Sequence, residues 1–175
     1  MTKKEFKICV LPTQGKLFRL AVTMLNSREE AEDTVQDVYL KLWNMREKLL
    51  DYSSIEALAV TITKNLCLDK LRSYRNRNQN DGGLELVKME ASPRVNPGQK
   101  AELNESVRYV HEIIQDLPER QRMIIHLRDV EQHSYEEIAV MTGLEINNIR
   151  VALSRARKEV RRKCLIKQNY ERQKN

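Results

Sequence analysis

Residues 134–163, SYEEIAVMTGLEINNIRVALSRARKEVRRK, decide how this chain is read. Ser134, followed three residues later by Glu137, has the form of a capping box. The two side chains there satisfy each other's backbone N–H at the start of a helix. A short helix over 135–141 follows. Thr142-Gly143 ends it, because glycine takes a left-handed backbone with no Cβ penalty. A second helix begins near Ile146. Its apolar residues Ile149, Ala152, Leu153, Ala156 and Val160 recur three or four apart and define one inward face. The outward face carries Asn147, Asn148, Arg150, Val151, Ser154, Arg155, Arg157, Lys158, Arg161 and Arg162. A short helix, a glycine-containing turn and a second helix make a helix-turn-helix, whose second helix lies in the major groove of DNA.

Charge supports that reading. Residues 149–163 hold seven basic side chains against one acidic, Glu159, a local excess equal to the chain's whole net charge of +6. Arginine can grip guanine through two hydrogen bonds and asparagine can do the same for adenine. The more distal basic residues suit phosphates, which position a protein without reading sequence. The plainer alternative is a solvated basic face on an ordinary helical hairpin.

Upstream of this motif, Leu103, Val107, Val110 and Ile114 line one helix, and Pro118 suits the first turn of the next, which runs to about Val130. Residues 79–100 hold most of the chain's helix breakers and read as a flexible linker; Leu84, Leu86, Val87 and Met89 within it would allow a short turn against a partner, but a solvated tether is the preferred reading. Before the linker, Leu17, Leu20, Ala21, Met24 and Leu25 form a helical stripe. Ser27 with Glu30 predicts another capping box, opening a helix that buries Ala31, Val35, Val38 and Leu42. A looser stretch, 47–54, precedes a third helix expected to bury Leu58, Ile62, Leu66 and Leu71. The expected fold is all-α: two small helical domains, 1–78 and 101–168, joined by the linker 79–100 and followed by a tail, 169–175.

Two surfaces of the first domain contrast. Asp33, Gln36 and Asp37 share an outward acidic face, unsuited to DNA and suited to a basic protein partner. Lys64, Asn65, Lys70, Arg72 and Arg75 lie on the third helix with Tyr74, an arrangement able to track a nucleic-acid backbone and stack on bases, although taken alone it reads better as a solvated basic face before the linker. Composition narrows the remaining classes. The cysteines Cys9, Cys67 and Cys164 form no CxxC pair and total an odd number, which points to a reducing compartment. The sequence shows no apolar run long enough for a membrane span and no signal-peptide cleavage pattern, so it reads as cytoplasmic without membrane insertion. His111, His126 and His133 have no metal-binding spacing, and no phosphate-binding glycine loop is present. No catalytic residue, metal or cofactor is expected. His126, after an apolar run, reads as a helix-face residue.

Together, SREEAEDTVQDVYLKLW, ITKNLCLDKLRS and LPERQRMIIHLRDVEQHSYEEIAVMTG…IRVALSRARKEVRR resemble the extracytoplasmic-function sigma factors, the two-domain initiation subunits of bacterial RNA polymerase. The resemblance implies a sigma factor that binds core RNA polymerase and directs promoter-specific transcription initiation at −10 and −35 elements. It places Asp33, Gln36 and Asp37 against the clamp coiled coil of the largest polymerase subunit. Lys64, Asn65, Lys70, Arg72 and Arg75 would face the −10 element, with a flipped base captured by the loop 47–54. Asn147, Asn148, Arg150, Val151, Ser154, Arg155, Arg157, Lys158 and Arg161 would face the −35 element. It also implies an anti-sigma partner. Three positions depart from the family pattern. Leu58 stands where an aromatic is usual, which predicts a differently packed core. Gln132 replaces a frequent Gly. Glu145 replaces a frequent Ser cap, worth on the order of 1 kcal/mol, so the recognition helix is expected to start late. A helix-turn-helix regulator that does not join polymerase would explain the C-terminal motif but leaves the acidic face unassigned.

Overall fold

The computed structural model describes residues 1–80 and 105–174, in which all regular structure is helical. The described helices fall into two compact units, α1–α4 in the first and most of α5–α8 in the second.

The first unit comprises α1 (Lys3–Val10), a 3₁₀ turn (Leu11–Thr13), α2 (Gln14–Leu25), α3 (Arg28–Asn44), a 3₁₀ turn (Leu49–Asp51) and α4 (Ile55–Asn80). α2 ends on Asn26, whose left-handed backbone (φ 52°) turns the chain into Ser27, the cap of α3. The α2 and α3 stripes lie where periodicity puts them: Leu17, Leu20, Ala21, Met24 and Leu25 meet Ala31, Val35, Val38 and Leu42, all buried. α4 departs from expectation. Among its described residues Ala57, Ala59, Val60, Thr63 and Cys67 are buried, while Leu58, Ile62, Leu66 and Leu71 are only half-buried. The helix packs on both α2 and α3, and small side chains at 59, 63 and 67 let the backbones approach closely. Thr63 avoids a polar penalty by donating to the Ala59 carbonyl at 2.8 Å. Burial pushes the Cys67 thiol up to about 12, so it stays protonated.

Helix α1 was not legible in the sequence, since only Phe6 and Val10 are buried on it. Thr2 and Glu5 close a capping box at its start. Phe6 meets the Trp43 ring edge-on at 5.1 Å, and the Arg46 guanidinium lies over the same indole at 4.7 Å. By length and composition Lys3–Leu25 passes for a membrane span, contrary to the sequence reading. Its helices are separated by the turn at Leu11–Thr13, however, and its Leu17, Leu20, Ala21 and Met24 form the core of this unit.

The second unit comprises α5 (Glu105–Gln115), α6 (Glu119–Ile125), a π-helical turn (His126–Val130), α7 (Tyr135–Thr142) and α8 (Ile146–Lys174). Pro118 sits one residue earlier than expected, as the cap before α6. Helical geometry loosens after Ile125, where Glu131 N–H donates to the His126 carbonyl at 3.0 Å. His126 is buried rather than surface-facing, its Nε2 lying 3.5 Å from the equally buried Glu131 carboxylate. Gln132 holds a left-handed backbone (φ 60°), a conformation that strains a residue bearing a Cβ by roughly 1–2 kcal/mol. Ile124, Leu127, Ile138, Ile149, Leu153 and Ala156 form the core; among the described side chains of α5 Ile113 is buried and Ile114 half-buried, and Val160 on α8 is half-buried. Gly143 ends α7 at φ 71°, as its position predicted. The recognition helix does not start late: Ile149 N–H donates to the Glu145 carbonyl at 3.1 Å, and α8 begins at Ile146.

Two boundaries shift. α4 runs to Asn80, into the stretch read as linker, and α8 runs to Lys174, through the stretch read as tail. The rest of the linker, with Leu84, Leu86, Val87 and Met89, lies outside the described residues, as do Leu103 and the side chain of Val107.

Candidate nucleic-acid and partner interfaces

The buried side of α8 fixes what its other side presents. With Ile149, Ala152, Leu153 and Ala156 turned inward, Asn147, Asn148, Arg150, Val151, Ser154, Arg155, Arg157, Lys158 and Arg161 are all exposed. They are not equivalent. Arg157 is held by both oxygens of Asp129, at 3.0 and 2.5 Å, and that carboxylate raises its pKa. Its guanidinium therefore ties α8 to the π-turn before it serves any ligand. Arg150 lies with its guanidinium carbon 5.3 Å from the Tyr135 ring centroid. Arg128 lies over that ring at 4.9 Å and donates to the His133 carbonyl at 2.7 Å. Tyr135 and Arg128 were absent from the sequence-derived set. A tyrosine opening the first helix of the motif, with arginines seven before and fifteen after it, carries no periodic signal.

In the first unit, Asp33, Gln36 and Asp37 are exposed along one side of α3. Leu40, three residues beyond Asp37 on that stripe, is 60% exposed, giving the acidic face an apolar side chain that sequence reasoning passed over. The spacing 33, 36, 37, 40 is itself the missed signal.

On α4, Asn65, Arg72 and Arg75 are exposed and Lys64 is half-buried. Lys70 points elsewhere: its Nζ lies 2.6 Å from Glu30 Oε2, and the Tyr74 hydroxyl donates to Glu30 Oε1 at 2.6 Å. Hydrogen bonds from Lys70 first and Tyr74 second hold the Glu30 carboxyl below its ordinary pKa, and Glu30 pushes the Tyr74 phenol up to about 12. The structure thus brings Lys70 and Tyr74 together at α3, apart from the exposed Arg72 and Arg75. In the preceding connection, buried Leu49 pins a turn that leaves Leu50 and Tyr52 exposed, and Ser54 caps α4 by accepting from Ala57 N–H at 3.1 Å.

These features define a two-unit helical protein with an exposed acidic stripe on one helix and a helix-turn-helix whose second helix exposes a basic face. Residues 10–77 match sigma-70 region 2 and residues 108–160 match sigma-70 region 4. The chain belongs to the sigma-70 family, in its extracytoplasmic-function group, and as such directs promoter-specific transcription initiation. It is 27% identical to the RNA polymerase sigma-H factor of Pseudomonas aeruginosa, over 90% of this chain and 85% of that protein. It is 31% identical to the probable RNA polymerase sigma factor RfaY of Xanthomonas campestris, over 89% of this chain but only 39% of that longer protein. The solved sigma factor RpoE of Bartonella quintana, in complex with the anti-sigma factor NepR, is similar with a TM-score of 0.76 and 27% identity, over 91% of this chain and 96% of that one.

Proposed function

We propose that this chain joins core RNA polymerase through the α3 face of Asp33, Gln36 and Asp37, with the clamp coiled coil of the largest subunit as partner. Asn65, Arg72 and Arg75 meet the −10 element, with Lys64 beside them, and the loop carrying Leu50 and Tyr52 takes up an unstacked base, which must repay a few kcal/mol of unstacking. Lys70 contributes to this surface indirectly, by fixing α4 on α3 through Glu30. The exposed face of α8 reads the −35 element. Asn148, Arg150, Val151, Ser154 and Arg155 are at base edges; Lys158 and Arg161 are on phosphates, and Arg157 is at the motif's edge with Asn147. The domains run 1–78 and 101–168, and tethering them through residues 79–100 raises the local concentration of α8 at its element. The protein works in the cytoplasm and is held off by an anti-sigma partner, as the Bartonella relative is crystallised with one.

The observation that carries this reading is the division of labour between faces. A nucleic-acid surface would not expose Asp33 and Asp37 in one stripe, and a chain that only bound DNA would leave that stripe without a partner. Adding the purified chain to core polymerase with genomic fragments and mapping start sites tests it. New start sites sharing −10 and −35 motifs are expected, and Asp37→Arg should abolish both them and retention on core polymerase. A chain that core polymerase does not retain would instead favour the stand-alone regulator.

A further inference from the structure

Two arginines stack on one aromatic ring in the second unit, Arg128 and Arg150 on Tyr135 at 4.9 and 5.3 Å. One of them also has a protein acceptor: Arg128 donates to the His133 carbonyl at 2.7 Å. For Arg150, among the described residues, the ring is the partner. That difference matters because a stacked guanidinium is held by its face. Its five N–H donors point out along the edge, so stacking restrains the side chain without consuming a single hydrogen bond. A long exposed arginine otherwise loses much of its rotamer freedom at the moment it is ordered on a ligand.

We propose that Tyr135 is a positioning residue for promoter recognition: its ring holds Arg150 by the face, presenting the free guanidinium edge to a base pair in the major groove. Arg128, stacked on the same ring and tied to the His133 carbonyl, keeps Tyr135 in place. This rests on the reading of α8 as the −35 helix and adds to it a residue, on the other helix of the motif, that acts on specificity without reading a base.

The full chain bound to core polymerase is used to select sequences from a pool of duplexes randomised at the −35 position, and the selected sites are then titrated with variants. Tyr135→Phe keeps the ring and should bind within twofold of the wild type with the same preference. Tyr135→Leu removes the ring and should weaken binding by about three- to tenfold, the worth of a partly exposed cation–π contact. The loss should fall on the base position that Arg150→Ala affects, and the double variant should be no weaker than Arg150→Ala alone. If Phe is as weak as Leu, the hydroxyl is the working group and the proposal fails. It also fails if Leu matches the wild type, or if Leu weakens all sequences equally. A second readout needs neither DNA nor the Leu variant. The side-chain protons of Arg150 in the free wild-type chain and in Tyr135→Phe should be shifted upfield by the ring current, and their absence from that position overturns the stack itself. A wild-type chain that selects no sequence would bring down the −35 reading and this proposal together, whereas unshifted Arg150 protons beside a selected motif would remove this proposal alone.

Discussion

Two helices open on nearly the same four residues, Ser-Arg-Glu-Glu at 27–30 and Ser-Tyr-Glu-Glu at 134–137, yet the last glutamate of each does a different job. At α7 the box closes. Ser134 N–H donates to Glu137 Oε2 at 2.7 Å, and Glu137 N–H donates to Ser134 Oγ at 3.1 Å. At α3 only half of it forms: Glu30 N–H donates to Ser27 Oγ at 3.3 Å, but the Glu30 carboxylate leaves its own cap for Lys70 and Tyr74 of α4. All three donors would bond an ionised carboxylate, but only Lys70 brings a full opposite charge, so the ammonium, with the Tyr74 phenol beside it, outcompetes the backbone N–H. The serine is a local device in both places. The glutamate is local at α7 and tertiary at α3, where it fixes the helix bearing the proposed polymerase face against the helix bearing the proposed −10 face.

Substituting the glutamates should expose the difference most strongly. Glu30→Gln removes the charge that Lys70 is held by and should cost the first unit about 1–2 kcal/mol, a charged hydrogen bond discounted for partial exposure. Trp43, the chain's one tryptophan, lies in that unit and reports its urea unfolding by fluorescence. Glu137→Gln should cost at most a few tenths of a kcal/mol, because glutamine serves the same position of a capping box. Hydrogen exchange of the α7 amides reads this second change. Equal losses at the two sites would erase the distinction.

The serines, in contrast, should behave alike. Ser27→Ala and Ser134→Ala each remove one side-chain acceptor from an otherwise orphaned N–H, worth about 1 kcal/mol. Trp43 fluorescence and α7 exchange are again the readouts. If Ser27→Ala were neutral while Ser134→Ala was costly, the diverted glutamate would have to be carrying the whole α3 cap.

The same contrast separates what could be read in the sequence from what could not. Both serine caps, the glycine terminator at 143 and the stripes of α2, α3 and α8 depend on neighbours within a turn or two and were legible; the closed box expected at Ser27 was not, since Glu30 turns to α4. The buried face of α4 was not. Leu58, Ile62 and Leu66 are larger than Ala59, Thr63 and Cys67, and a periodicity argument weights size. Close packing of α4 on two helices at once favours the small side chains. α1 is too short to show a stripe, and the π-turn after Ile125 leaves the apolar pattern unbroken, so both escaped notice. Among site residues, residue type and face put the α3 acids and the outward set of α8 on exposed surfaces. Which cations were already engaged was invisible, since Glu30 to Lys70 and Asp129 to Arg157 are pairings across helices. Tyr135 and Arg128 escaped for the same reason.

The smallest effect is also the most local probe of the diverted glutamate. Glu30 lies below its ordinary pKa of 4.5 in the folded chain, chiefly through Lys70, so its contribution is complete above that value and fades as pH falls through the depressed one. Tyr74 is displaced the other way, from 10.0 to about 12, because its hydroxyl donates to Glu30 and would be repelled by that carboxylate once ionised. The protonated phenol is the form the fold favours. Its contribution is therefore complete below pH 10 and lost as pH rises towards 12. Labelling the tyrosine ring carbon that bears the hydroxyl and following its shift through alkaline titration should show one of the chain's six tyrosines ionising near 12. In Glu30→Gln that resonance should move back towards 10, with the other tyrosines unchanged. A Tyr74 that titrates at the ordinary value in the wild-type chain would mean that the Glu30 carboxylate is not turned towards α4 in solution. The α3 cap would then have to close like the α7 cap, and the two would cease to differ.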